Sequence, residues 1–242
     1  MNLELEGRVV VLAGGAGGIG RACAAAFLEE KVQVVIADRE AGPAPLPPGV
    51  AFKALDITDP GSVETLFRET AREYGRLDIL VNAAGIYSAR PILALPVEEW
   101  EQMFRVNLRG VFLTCRAVLP YLQQAGWGRI INIASLAGQT GGLVAGAHYS
   151  ASKAGVLAFT KSLAKQTRSP GITVNAVNPG PVVTAMTADW PREEADSLTA
   201  KIPLGRFAAA REVADAIVFL ASARAAYIHG THLDINGGLF MD

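Results

Sequence analysis

Cysteine is scarce in this sequence. Only Cys23 and Cys115 occur among 242 residues. Both lie in apolar stretches without the paired spacing of a zinc site or a disulfide framework, which leaves them as small core residues. Histidine is as thin: His148, His229 and His232 lack ligand spacing, so no metal is expected. Neither sign of charge is in excess, with 22 Lys and Arg against 23 Asp and Glu. No basic run is present to bind DNA, RNA or an anionic bilayer. Nor does any uninterrupted apolar stretch approach the roughly 18 residues of a membrane span. The opening stretch Met1 to Gly7 carries acids where a secretory leader carries bases. The expectation is a cytoplasmic protein with neither nucleic acid nor membrane as partner.

What is abundant is hydrophobic residues, 50% of the chain, enough for one large α/β domain over residues 1–242. Short β-branched runs alternate with longer helical patterns. Candidate strands are Val9 to Leu12, Val32 to Ala37, Phe52 to Leu55, Ile79 to Val81, Ile130 to Ile133, Thr173 to Val177 and Thr231 to Ile235. Runs apolar throughout read as strands covered on both faces, and the helices between them supply the crossovers of a parallel sheet. The predicted architecture is a Rossmann-type, doubly wound sandwich: a seven-stranded parallel sheet with helices on both faces. Amphipathic spacing predicts helices over Ser62 to Tyr74, Val97 to Leu122 and Tyr149 to Arg168. Residues 40–49 stand where a crossover helix belongs, but four prolines, Pro43, Pro45, Pro47 and Pro48, rule it out, and a loop is expected.

After the first strand comes Ala13-Gly14-Gly15-Ala16-Gly17-Gly18-Ile19-Gly20, then a strong helix former. Such a loop lets backbone approach a pyrophosphate, whose charge meets free amides and the positive end of the helix dipole. A sharp βα turn with no ligand is the plainer alternative; Asp38, closing the second strand, argues against it by offering a carboxylate to both ribose hydroxyls of an adenosine. That carboxylate would repel a 2′-phosphate, which favours NAD over NADP. Arg39 either turns towards such a phosphate or is a solvated surface charge, and Gly17 offers no second base in the loop.

Tyr149 and Lys153 stand four residues apart at the start of a helix, on one face. A free phenol has a pKa of about 10, so it needs acidifying to trade protons near neutrality. An adjacent ammonium and a positive nicotinamide ring would supply that field. Alone, the pair reads equally as an ordinary surface i, i+4 pair.

The other motifs occur in order along nearly the whole chain, and the sequence resembles the classical short-chain dehydrogenase/reductase family. Gly14 to Gly20 resembles its glycine motif, Asp56-Ile57 its adenine-holding pair, and Asn82-Ala83-Ala84-Gly85 the signature ending the fourth strand. Asn107, Ser135, Tyr149 and Lys153 match its catalytic residues. Asn178-Pro179-Gly180-Pro181-Val182-Val183-Thr184 resembles the segment closing over the nicotinamide, and Asn236-Gly237-Gly238 its C-terminal signature. The resemblance implies a nicotinamide-dependent oxidoreductase acting on a secondary alcohol or ketone. Ser135 would polarise the substrate oxygen and Tyr149 exchange its proton. Lys153 would lower the Tyr149 pKa and hold the nicotinamide ribose, and Asn107 would hold a water linking Lys153 to solvent. It further implies dinucleotide contacts from Gly14, Gly17, Gly18, Ile19, Gly20, Asp38, Arg39, Asp56, Ile57, Asn82, Ala83, Gly85, Pro179, Gly180, Val182 and Thr184.

Two departures stand out. Ala13 replaces the family's usual threonine, removing a hydroxyl that ties down the glycine loop, and the proline-rich 40–49 stretch replaces a helix beside the adenine. Substrate contacts are expected from Ser135, Gln139, His148, Tyr149 and Trp190, with His148 alternatively a histidine packed at a helix start. A lid is expected over residues 185–204, with Trp190 either part of it or a packing anchor. Gln139 to Val144 offers little charge, which suits an apolar alcohol or ketone. Motif wording in the last third is most similar to 3-oxoacyl-(acyl-carrier-protein) reductases. Asp38 is unusual for that NADPH-driven step, however, and the shortened adenine-side crossover resembles that of dihydrodiol-type dehydrogenases such as the 2,3-dihydro-2,3-dihydroxybenzoate enzyme, which is the alternative. From another class, a non-turnover dinucleotide sensor is the third reading. Family resemblance also implies a homodimer or homotetramer built on the two long helices.

Overall fold

A computed structural model describes residues 2–42 and 44–241; Pro43, one of the four prolines of the 40–49 segment, lies outside them. The chain runs β1 (Val9–Ala13), α1 (Gly18–Glu29), β2 (Gln33–Asp38), β3 (Val50–Ala54), α2 (Pro60–Tyr74), β4 (Ile79–Asn82) and α3 (Val97–Phe104). It continues through α4 (Gly110–Ala125), β5 (Gly128–Ile133), α5 (Ala137–Thr140), α6 (Ala147–Gln166), β6 (Ile172–Pro179), β7 (Val182–Val183) and α7 (Ala185–Ala188). It ends with α8 (Arg192–Thr199), β8 (Ala208–Ala209), α9 (Ala210–Ala221) and β9 (His232–Ile235). Seven parallel strands form one sheet in the order β3-β2-β1-β4-β5-β6-β9. This is the single-domain α/β sandwich expected, and its strand order reverses direction between β1 and β4.

The period-two alternation of strand side chains sorts the apolar residues into two cores. Val9, Val11, Val35, Leu80, Ile130 and Val174 face one side, under Phe67 of α2, Val118 of α4 and Val156 of α6. Val10, Leu12, Val34, Ile36, Val81 and Ile131 face the other, under Cys23 and Phe27 of α1 and Ile217 of α9. Every residue of β1, β4, β5 and β6 is buried, which is why these runs carry no polar alternation.

Each expected strand and helix is present within two residues at most ends. The exception is the long helix expected over Val97 to Leu122: Arg105–Arg109 forms a π-helical turn that separates α3 from α4. The extra residue in that turn carries Asn107, which is fully buried. A two-stranded pair, β7 with β8, was not legible, because two residues carry no period.

The proline-rich segment forms no helix among its described residues, as expected. Arg21 of α1 takes over its support: Nε donates to the Ala16 carbonyl at 3.0 Å, Nη1 to Pro45 at 3.0 Å, and Nη2 to Ala41 at 2.6 Å and Ala44 at 2.7 Å. One guanidinium thus ties this loop to the glycine loop.

Candidate active site

The carboxyl ends of β1 and β4, where the strand order reverses, open a crevice of the kind that takes ligands in such sheets. A cleft there is lined by Gly14, Gly17, Gly18, Ile19, Gly20, Asp38, Arg39, Asp56, Ile57, Ala83, Gly85 and Thr184. Gly14 has φ +82°, and a Cβ there would lie 2.2 Å from the Ala84 backbone; a Cβ on Gly18 would lie 2.8 Å from Thr184 Cγ2. These contacts bring the loop, β4 and the Thr184 segment together around one floor. Gly17 is the N-cap of α1, no side chain caps it, and the first turn holds no acid. The leading amides of α1 are left to an anion. Asp38 closes β2 with Oδ2 accepting the Ala16 amide at 3.1 Å and Oδ1 the Arg39 amide at 2.8 Å. Asp56 accepts the Thr58 amide and hydroxyl, both at 2.8 Å, and these bonds hold its carboxyl below the usual range. A donor floor at one end and a carboxylate at the other fit a dinucleotide.

A second cavity of about 160 Å³ adjoins the cleft, sharing Ile19, Ala83, Gly85 and Thr184 with it. Ser135, Tyr149 and Lys153 line it together with Pro179, Gly180 and Val182, as do Leu143, Val144 and Trp190. Tyr149 and Lys153 share the same face of α6, with Lys153 Nζ 5.9 Å from the Tyr149 ring centroid. Lys153 Nζ donates to the Ile133 carbonyl at 2.9 Å. Burial lowers the lysine to about 8. Burial likewise pushes the Tyr149 phenol up, against a hydrogen bond with Ser135 that works the other way. Burial is thus the larger influence on Tyr149 in the chain by itself, and the expected acidification relies on the nicotinamide charge together with Lys153.

Asn107 is placed beside this pair by the π-turn. Its Oδ1 accepts the Ile86 amide at 2.8 Å, and its Nδ2 donates to the Ile86 carbonyl at 3.0 Å and to Ser152 Oγ at 3.1 Å. A Cβ added to Gly85 would meet Asn107 Oδ1 at 3.4 Å and Lys153 Nζ at 3.5 Å, so both groups converge on that glycine.

Three expected site residues lie elsewhere. Asn82 is buried on the opposite face of β4, donating to Asn132 Oδ1 at 2.8 Å and accepting the Thr114 hydroxyl at 2.7 Å; it staples β4 to β5 and α4. Gln139 turns from the cavity to Asn178 and to His232 Nε2, the latter at 2.9 Å. His148 is fully buried against Glu99 Oε1 at 3.3 Å and forms no part of the cavity wall. The helix-start packing of His148, not pocket lining, is what the structure shows. Conversely, sequence reasoning missed Tyr87. It lines the cavity edge-on to Tyr149, with ring centroids 5.0 Å apart, and its hydroxyl donates to the Val144 carbonyl at 3.1 Å. The available signal was its place two residues after Gly85, in the segment that leaves the carboxyl end of β4. Trp190, Met186 and Leu198 bring the 185–204 segment onto the same cavity.

A family model described as enoyl-(acyl carrier protein) reductase matches residues 14–240. The chain is 39% identical to the 3-oxoacyl-(acyl-carrier-protein) reductase FabG of Vibrio cholerae, over 99% of this chain and all of that one. It is 37% identical to the FabG reductase of Thermotoga maritima, over 98% and 99% of the two chains. Among solved structures, a short-chain dehydrogenase/reductase described as glucose/ribitol dehydrogenase from Brucella melitensis superposes with a TM-score of 0.91 at 32% identity, covering 100% of both chains. The ligand-free aldohexose dehydrogenase of Thermoplasma acidophilum does so at 0.91 and 30%, covering 99% and 96%. The fold, the crevice and these full-length similarities converge: the chain belongs to the short-chain dehydrogenase/reductase family and is a nicotinamide-dinucleotide oxidoreductase acting on CH–OH and ketone groups.

Proposed function

We propose that the protein interconverts an uncharged secondary alcohol and its ketone with NAD(H), exchanging the substrate proton at Tyr149. The observation that carries this reading is the convergence of Ser135, Tyr149 and Lys153 on one cavity wall, beside a cleft that ends in Asp38. When bound, the dinucleotide supplies hydride transfer and, in its oxidised form, a positive charge. In oxidation, the carbinol carbon gives up a hydride and its hydroxyl gives its proton to Tyr149; in reduction Tyr149 returns the proton to the carbonyl oxygen. Ser135 shares that oxygen as a hydrogen-bond partner. Lys153, held by the Ile133 carbonyl, places an ammonium beside the phenolate that oxidation requires. Asn107 braces the backbone of Ile86, which forms the wall between cleft and cavity.

Asp38 is what favours NAD, since a 2′-phosphate would sit against its carboxylate. Measured kcat/KM with both cofactors tests this: NADH should be favoured by about tenfold or more, an advantage of roughly 1.4 kcal/mol, and Asp38→Ala should shrink it. Activity with NADPH alone would overturn the cofactor assignment. Tyr149→Phe should lower kcat by roughly 10²–10⁴-fold, the usual worth of a positioned acid–base group, while dinucleotide binding persists. Unchanged turnover in that variant would remove Tyr149 from the reaction, and dinucleotide-induced thermal stabilisation of the parent with no turnover on any alcohol would instead support a sensor. A second reading, reduction of 3-oxoacyl thioesters, is favoured by the 37–39% identity to FabG reductases. A dihydrodiol-type oxidation is favoured by the helix-free adenine-side crossover together with the NAD preference that Asp38 implies.

The reading includes a homo-oligomer. Trp100, Phe104, Leu108, Phe112 and Phe159, rimmed by Glu101, Arg105 and Arg109, line an open groove across α3, the π-turn, α4 and α6, with Phe112 41% exposed. A second copy of the chain would cover it.

A further inference from the structure

Tyr149 stands where its helix is least supported from within. It is the third residue of α6; Gly146, the N-cap, brings no side-chain cap, and the first turn holds no acid. The leading amides of a helix have no partner inside it, and terminal turns open easily unless another element holds them. Here the holding group is a carboxylate from α3. Glu99, in the first turn of that helix, meets Nε2 of the fully buried His148 at 3.3 Å, the Ser88 hydroxyl at 2.6 Å and Arg90 Nε at 2.6 Å. A carboxylate only accepts, so the imidazole presents a protonated Nε2 to it. The Ser88 bond first, then those of Arg90 and His148, hold the Glu99 carboxyl below its usual range, and it remains an acceptor at neutral pH.

A second tie joins the same pieces of chain: the Ser88 carbonyl accepts the Gly146 amide at 2.9 Å. A Cβ on Gly146 would lie 2.7 Å from His148 Cε1 and 3.0 Å from the Arg90 carbonyl, so the ring is packed between the helix start and that backbone. The tied residues adjoin the two phenols of the cavity. His148 precedes Tyr149 and Ser88 follows Tyr87, and the two phenol rings meet edge-on at 5.0 Å. Glu99, His148 and Ser88 themselves line neither the cavity nor the dinucleotide cleft. Whatever they do for the reaction passes through their neighbours.

Resting on the alcohol–ketone reading above, we propose that Glu99 and His148 are positioning residues for Tyr149. The carboxylate takes the place of the absent helix cap, and through the imidazole and Ser88 it fixes the phenol against Ser135 and Lys153. The couple moves no proton; it limits where the Tyr149 oxygen can stand, and small misplacements of a reacting group are costly.

Glu99→Ala and His148→Leu remove the contact from its two sides, and His148→Gln returns an N–H donor close to the place of the ring Nε2. Turnover is measured on ethyl acetoacetate and 2-butanol with both cofactors, NADH affinity by cofactor fluorescence, and folding by melting temperature. The Tyr149 phenol is titrated by ultraviolet absorbance in the NAD complex, with Tyr149→Phe as the blank. In Glu99→Ala and His148→Leu, kcat should fall by roughly ten- to a hundredfold while NADH affinity holds. Tyr149 should ionise about one pH unit higher, having lost the Ser135 bond that lowers it. The double variant should be no worse than the poorer single one, because both act through one contact, and His148→Gln should recover most of kcat and of the titration. Should either removal fail to fold, the other makes the same comparison with His148→Gln. Unchanged kcat and titration would overturn the proposal. So would a loss shared equally by kcat, NADH affinity and melting temperature with the titration unmoved, which marks a brace for the fold alone. A parent that turns over neither substrate counts against the alcohol–ketone reading, and the phenol titration, which needs no turnover, then decides the positioning role by itself.

Discussion

Lys153 is a cation held where water cannot solvate it, and that has a measurable consequence for stability. Its pKa falls from 10.5 unfolded to about 8 folded because burial penalises the charged form. A base so depressed binds fewer protons folded than unfolded between those values, so it makes stability rise with pH from 8 to 10.5 and withholds that gain below 8. Lys153→Met should flatten the rise. The difference between parent and variant should change by roughly 3 kcal/mol across that interval, read from denaturant midpoints at its two ends. At this scale the sequence was legible where chemistry fixes residue type and opaque where direction decides. Asn82 ends β4 and Ala83 follows it, yet only Ala83 faces the cleft, because successive side chains of an extended chain point to opposite faces. His148 precedes Tyr149, but one step along a helix turns a side chain by about 100°, which sends His148 to Glu99 while Tyr149 meets the cavity.

Two elements departed from regular pattern, and they differ in how they could be read. Proline content alone announced that residues 40–49 form no helix. It did not announce the Arg21 clamp, since nothing in a sequence pairs a helix arginine with carbonyls some twenty residues on. Because Arg21 also holds the Ala16 carbonyl, whose own amide bonds Asp38, Arg21→Ala should loosen the adenosine end. Dinucleotide KM should rise by up to about tenfold, roughly 1.4 kcal/mol, with kcat little changed; equal KM values would show the loop to be independently rigid. The π-turn at Arg105–Arg109 was hidden from amphipathic spacing because the apolar stripe resumes after a single inserted residue. Its marker was polar: Asn107 sits at a position that faces the interior, where an asparagine needs partners and finds the Ile86 backbone.

For the molecule as a whole, the alternation of apolar runs with helical patterns sufficed to give a parallel, doubly covered sheet, since right-handed crossovers leave few other arrangements. Which strands become neighbours was settled only in three dimensions, and so was the crevice where the order reverses. The apolar groove on α3, α4 and α6 belongs to this scale too. Light scattering should find more than one copy per particle, and Phe112→Asp, placing a charge on the exposed ring position, should shift the particle towards monomer; a monomeric parent would leave the groove to another use. The two thiols offer a last whole-molecule readout. Cys23 lies in the core beneath α1 and α9 and Cys115 in that beneath α2, α4 and α6, and burial pushes each up to about 12. Neither can react while its layer is shut. A thiol-specific dye added to the native protein should therefore act as a pair of stopwatches, one for each side of the sheet: equal labelling rates would mean the two layers come apart in one cooperative event, and unequal rates would reveal which gives way first.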